Sequence, residues 1–176
     1  VGPAGAGADR WVPADKPLSY RVRFENDPEV ATAPAQQVRI TLSLDDGLDP
    51  RTFRLGDAGF GPVVVDVPDG RATYQSRVDV TETLGLYVDV LAGVDLASAE
   101  AFWQFTSVDP ATGQVPDDPL RGLLPPNEDS PEGEGWVRYS VAPTSDATSG
   151  DVVTAQARIV FDVNERIDTE PTFDTL

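Results

Sequence analysis

Leu18-Ser19-Tyr20-Arg21-Val22-Arg23-Phe24-Glu25 is the stretch that decides the fold. Leu18, Tyr20, Val22 and Phe24 fall on one side of an extended chain, and Ser19, Arg21, Arg23 and Glu25 on the other. Strict alternation of apolar and polar residues is the period of a β-strand with one wet face, because successive side chains point to opposite faces. Asn26-Asp27-Pro28 ends the run. Gln37–Leu44 repeats the pattern with Val38, Ile40, Leu42 and Leu44 inward, and Asp45-Asp46-Gly47 then signals a turn.

The same reading carried along the chain gives short strands near Thr52–Leu55, Val63–Val67, Arg71–Val80, Leu84–Leu91, Ala101–Val108, Trp136–Val141 and Val152–Phe161. The tail from Asp162 to Leu176 has room for one more. Pro68-Asp69-Gly70 suggests a hairpin between the Val63–Val67 and Arg71–Val80 segments. Thr81–Leu86 and Asp95–Ala101 hold a helical turn at most. With 15 Gly and 16 Pro to break helices, the expectation is an all-β fold, an antiparallel β-sandwich of about nine or ten strands. Val1–Lys16, rich in Gly, Ala and Pro, reads as an N-terminal linker, and residues 17–176 as the sandwich domain. Asp109–Glu134 reads as a long acidic loop anchored only by Leu120, Leu123 and Leu124.

Composition excludes several chemistries. There are 13 Lys+Arg against 30 Asp+Glu, a net charge of −17, and no His, Cys or Met. Disulfides, thiolate nucleophiles, zinc–thiolate sites and His-dependent triads are therefore ruled out. Nucleic acid is not expected as a partner, because its phosphates call for clustered Lys and Arg. No apolar run reaches the roughly 18–20 residues of a helical membrane span, so no membrane insertion is expected.

Several segments together resemble a conserved repeat domain of very large bacterial secreted and cell-surface, adhesin-like proteins. The opening Leu18–Phe24 with Glu25-Asn26-Asp27, then Ala33–Leu44 with Asp45, is similar to that domain's first two strands. Ala155-Gln156-Ala157-Arg158-Ile159-Val160-Phe161-Asp162-Val163-Asn164-Glu165-Arg166-Ile167-Asp168-Thr169 resembles its closing signature, a strand of alternating Ala and Ile running into Phe-Asp-x-Asn-x-x-Ile-x-Thr. Trp103–Asp109 with Thr112-Gly113, and Leu124-Pro125-Pro126-Asn127, resemble a longer version of the domain. The resemblance implies an immunoglobulin-like sandwich set in a stalk or array, extracellular or at the cell surface, with neighbouring domains or identical subunits as partners. It implies no enzymatic activity.

Carboxylates and amides crowd the turns, and Ca²⁺ takes about 6–8 oxygen ligands of these types. Candidate ligands are Asp109, Asp117 and Asp118; Asn127, Glu128 and Asp129, followed by Glu132 and Glu134; and Asp162, Asn164 and Asp168. Asp45, Asp46 and Asp49 form a further cluster. The competing reading makes each of these a solvated turn residue holding its own backbone. Trp103, Trp136 and Tyr139 offer an aromatic platform for glycans. The function expected is a non-enzymatic structural or adhesion module stabilised by calcium. The alternatives are a carbohydrate-binding module and a fibre subunit that polymerises by β-strand addition.

Overall fold

The computed structural model describes all of residues 1–176. Its strands are β1 (Leu18–Glu25), β2 (Gln37–Ser43), β3 (Arg54–Phe60), β4 (Val63–Val65), β5 (Tyr74–Val80), β6 (Leu86–Asp95), β7 (Glu100–Val108), β8 (Glu134–Val141), β9 (Val152–Ala155), β10 (Arg158–Phe161), β11 (Ile167–Asp168) and β12 (Thr172–Thr175). The only α-helical element is the single turn α1 (Thr81–Leu84), and Pro50–Thr52 forms a 3₁₀ turn. A four-stranded sheet in the order β1-β8-β3-β4 packs on a six-stranded sheet in the order β11-β10-β2-β7-β6-β5, with β12-β9 as a separate pair. Every pairing between these strands is antiparallel. The all-β sandwich read from the alternation is the architecture found.

The core lies where the alternation puts it. Leu18, Tyr20, Val22 and Phe24 of β1 and Val137, Tyr139 and Val141 of β8 face Val38, Ile40 and Leu42 of β2 and Ala101, Trp103 and Phe105 of β7. Burying each large apolar side chain contributes about 1.5–3 kcal/mol. Aromatic rings bridge the sheets. Tyr20 stacks on Tyr139 with centroids 5.1 Å apart, Tyr139 on Phe53 at 5.6 Å, and Phe53 meets Trp103 at 6.0 Å. In β7 Phe102 is the aromatic that turns outward, leaving Trp103 and Phe105 in the core.

The structure departs from the expected strands most clearly in three places, apart from Leu84, which falls in α1, and the tail, which holds two strands. Thr52 belongs to the 3₁₀ turn, whose first residue Pro50 cannot donate to a ladder, and β3 begins at Arg54. The Val63–Val67 and Arg71–Val80 segments do not form a hairpin. β4 pairs with β3 in one sheet and β5 with β6 in the other, so Pro68-Asp69-Gly70 is a crossing between layers. Val152–Phe161 is likewise two strands. Gln156-Ala157 interrupts it, after which β9 pairs with β12 and β10 with β2.

Residues 1–16, expected as a linker, lie against the sandwich. Val1 and Arg21 exchange backbone hydrogen bonds, each donating an N–H to the other's carbonyl at 2.8 Å. Val12 is buried in the core and donates its N–H to Thr175.

Candidate functional site

The long acidic loop is ordered by apolar anchors and hydrogen bonds. Leu123 and Leu124 are fully buried, Ala35 and Leu124 form a β-bridge, and Gly122 sits on the Ala35 carbonyl where a Cβ would lie 2.5 Å from its oxygen. Buried Asn26 donates Nδ2 to the Ala33 and Leu124 carbonyls at 3.1 and 2.9 Å. Gln36 Nε2 lies 2.8 Å from the Pro116 carbonyl and 2.9 Å from that of Asp118. Arg121 pairs with Asp109 and also reaches the Gly85 carbonyl, 2.9 Å away. Leu120, named as an anchor, is exposed.

The candidate calcium ligands are for the most part engaged in other ways. Asp109 and Asp118 accept from backbone N–H groups two residues on, those of Ala111 and Leu120. Asp27, Asp45, Asp49, Asp79 and Asp95 do the same, which is the Asx-turn geometry that competed with the metal reading. The hydrogen bonds from Ala111 and Arg121 hold the Asp109 carboxyl below its ordinary pKa. Asp117, Glu128 and Asp129 are exposed. Asn127 bridges two carboxylates, donating Nδ2 to Glu25 at 2.8 Å and standing 3.5 Å from Glu134, while Ser130 also donates to Glu134. Glu25 and Glu134 face each other across β1 and β8, a pairing that sequence alone could not show because it depends on strand register. Asp162 accepts from the Gln36 and Gln37 N–H groups at 2.9 and 2.8 Å, and exposed Asp168 lies 3.6 Å from Arg166. Asn164, the third member of that set, is exposed. No group of three or more acidic side chains is gathered closely enough to hold a metal ion. The candidate ligands adjacent in sequence are not drawn into one cage in this arrangement.

Asp162 makes the two readings separable. Its φ of +53° is a conformation that Asp tolerates better than Ala. Asp162→Ala is therefore expected to lower stability by about 1–2 kcal/mol through its two lost hydrogen bonds. The loss should be the same with and without Ca²⁺ in chemical denaturation, whereas a calcium ligand would lose mainly the Ca²⁺-dependent part.

The aromatic platform does not form. Trp103 is 1% exposed and Tyr139 is buried, both on inward positions of their strands, while Trp136 alone points to the outer face of the four-stranded sheet. Trp136 is not a bare ring. The guanidinium of Arg21 lies 4.5 Å and that of Arg138 4.8 Å from its centroid, and Gly59 of β3 leaves the room that the indole occupies.

That outer face is the most distinctive charged feature of the molecule. Arg21 and Arg23 from β1, Arg138 from β8 and Arg54 from β3 share it with Trp136, and Arg21 stands directly across from Arg138. The four ion pairs of the protein use Arg10, Arg77, Arg121 and Arg166, so none of these four arginines has a carboxylate partner. Arg21 Nε is shielded from solvent and has no acceptor. Burial, then repulsion from Arg23 and Arg138, lowers the Arg21 pKa. A shallow groove of about 620 Å³ runs beside Trp136, lined by Arg21, Arg23, Glu25 and Glu134 among others. The composition did not foretell a cationic face, since it forms only when the outward positions of three strands line up.

A second polar centre lies at the other end of β1. The Asp174 side chain is 0% exposed and accepts from Arg10 Nη2 at 2.9 Å and from the Tyr20 hydroxyl at 3.3 Å. Burial pushes the Asp174 carboxyl above its ordinary pKa against the pull of Arg10, and burial beside Asp174 also pushes the Tyr20 hydroxyl up. Arg10 in addition donates to the Pro3 and Phe173 carbonyls. The cluster ties the first residues of the chain to β12.

A family model described as a domain of unknown function, DUF7619, matches residues 121–175, about a third of the chain. The matched part runs from the middle of the acidic loop through β12 and includes the Ala155–Thr169 motif. No curated protein matches the chain.

Proposed function

We propose that this chain is a structural module of an extracellular or cell-surface protein, working without catalysis in adhesion, spacing or matrix assembly beside neighbouring domains or identical subunits. The observation that carries this reading is how the acidic side chains are used. Seven aspartates, Asp27, Asp45, Asp49, Asp79, Asp95, Asp109 and Asp118, each accept the backbone N–H two residues on. Acids spent on holding turns, between strands that bury one continuous core, are the chemistry of a scaffold. The likeness of Ala155–Thr169 to the closing motif of surface-protein repeats supports the same conclusion.

Location is the part of this reading that tests it most directly. An antibody raised against the folded chain should label intact source cells or their culture medium, and protease treatment of intact cells should remove the cell-bound signal. Signal found only after lysis would overturn the reading.

Calcium belongs to this proposal on the strength of acid content alone. A melting curve with millimolar Ca²⁺ should shift upward if the exposed acids Asp117, Glu128 and Asp129 recruit the ion, and an unchanged midpoint removes calcium from the reading.

A further inference from the structure

The arginines around Trp136 have no ion-pair partner, and the same molecule carries an exposed carboxylate turn that could supply one. Between β10 and β11 the chain projects as Asp162-Val163-Asn164-Glu165-Arg166, all exposed, with Val163 98% exposed at the turn. Ile167 beside it is also exposed. This is an apolar tip with the free carboxylate of Glu165 beside it, the Asp162 carboxylate being held by Gln36 and Gln37 and Arg166 standing next to Glu165. It stands at the margin of the six-stranded sheet, whereas the arginines lie on the outer face of the other sheet. We propose that the Arg21–Trp136–Arg138 face of one copy receives the Asp162–Ile167 turn of a second copy, with Glu165 against the unpaired guanidinium groups and Val163 in the groove beside Trp136.

Three observations favour this occupant. The arginines repel one another and none has an internal carboxylate partner, and guanidinium groups bind carboxylates through paired donors in a fixed fork. The acids nearest the face, Glu25 and Glu134, accept from Asn127 and Ser130 and make no ion pair with the arginines. Asp69 lines a neighbouring groove with Arg54 and Arg138 but forms no ion pair. Finally, the turn combines an apolar residue with a charge, which suits a groove whose walls are an aromatic ring and arginines. The two patches differ, so the contact is heterologous and adds copies head to tail. The inference rests on the reading of the chain as a module that meets its own kind, and names the contact.

The test is sedimentation of the purified chain at rising concentration in about 0.15 M salt, where charges beyond roughly 8 Å are screened and local pairing decides. The expected result is a mass that rises with concentration and returns to monomer in about 1 M salt. Two variants should each be monomeric alone: R21E/R138E, which lacks the face, and V163S/E165K, which lacks the turn. Mixed, they should form a one-to-one complex, because one still has the turn and the other the face. R21Q/R138Q serves as the milder face variant if the charge reversal fails to fold, and circular dichroism checks each. A chain monomeric at every concentration, or a mixture that does not associate, overturns the proposal. Retention of a monomeric chain on a polyuronate resin, lost in R21Q/R138Q, would overturn it in favour of an anionic glycan. None of these outcomes bears on where the protein resides, so the cell-labelling result fails or succeeds separately.

Discussion

Trp103→Ala is expected to destabilise the domain by about 3–5 kcal/mol, the range for removing a large aromatic from a packed core. With domains stable by about 5–15 kcal/mol in total, such a loss leaves a marginal fold. Trp103 is among the largest fully buried side chains and stands at the junction of the two sheets. Its ring meets Phe53 at 6.0 Å and Tyr139 at 5.8 Å, and Tyr139 in turn stacks on Tyr20. Removing the indole therefore opens a cavity in the middle of a four-ring cluster, where strands on both sides are held by their ladders and cannot collapse inward. Trp103→Phe keeps a ring in the site and should cost roughly half as much. Urea denaturation followed by Tyr and remaining Trp fluorescence measures both. A change below about 0.5 kcal/mol, as for an exposed residue, would place Trp103 on the surface and restore the glycan platform.

The same residue shows what could be read from sequence. The alternation of Ala101, Trp103 and Phe105 against Phe102 and Gln104 required one set of aromatics to face inward, but not which. The set was decided by partners distant in sequence: Val38 and Ile40 on β2, and Tyr139 on β8. β1 and β2 were legible almost to the residue because a clean two-residue period has one consistent burial pattern. The sheet that each strand joins was not legible. Val63–Val65 and Tyr74–Val80 are close in sequence and separated by a turn signal, yet they lie in different sheets. A local turn preference cannot report the long-range pairing of β3 with β8 that claims β4's neighbour. Where the candidate metal ligands would lie relative to one another was not legible for a related reason. Acids such as Asp109 and Asp118 were grouped by proximity along the chain, but each turns back onto its own backbone. The arginine face was hidden for the opposite reason, since Arg21, Arg54 and Arg138 are far apart in sequence and meet through register alone.

Arg10→Ala is expected to cost about 2–3 kcal/mol at neutral pH, somewhat below the roughly 3–5 kcal/mol for breaking a fully buried pair. The reduction reflects Arg10 itself, whose side chain is partly exposed, and the Tyr20 hydroxyl that continues to donate to Asp174. The loss has two parts. Asp174, with no exposed side-chain surface, keeps a charge without its cationic partner. The N-terminal segment also loses the hydrogen bonds that Arg10 makes to Pro3 and Phe173. Only the first part depends on pH. Burial raises the Asp174 carboxyl above its ordinary value of 3.8, and Arg10 opposes that rise. A carboxyl raised in the folded state favours folding most when it is protonated. Its contribution is thus fully present below the ordinary value and declines as pH rises through the raised one. Without Arg10 the rise is larger and the neutral-pH penalty greater. The gap in unfolding free energy between the parent and Arg10→Ala should therefore narrow as pH falls from neutral toward the ordinary carboxyl value of 3.8, as Asp174 takes up its proton. In an Asp174→Asn background the remaining Arg10→Ala loss should be smaller and flat with pH, because the titrating partner is gone and the two sites are directly coupled. A deficit that does not change with pH in the parent background would mean that Arg10 acts only through its backbone hydrogen bonds, and that Asp174 is satisfied by Tyr20 alone.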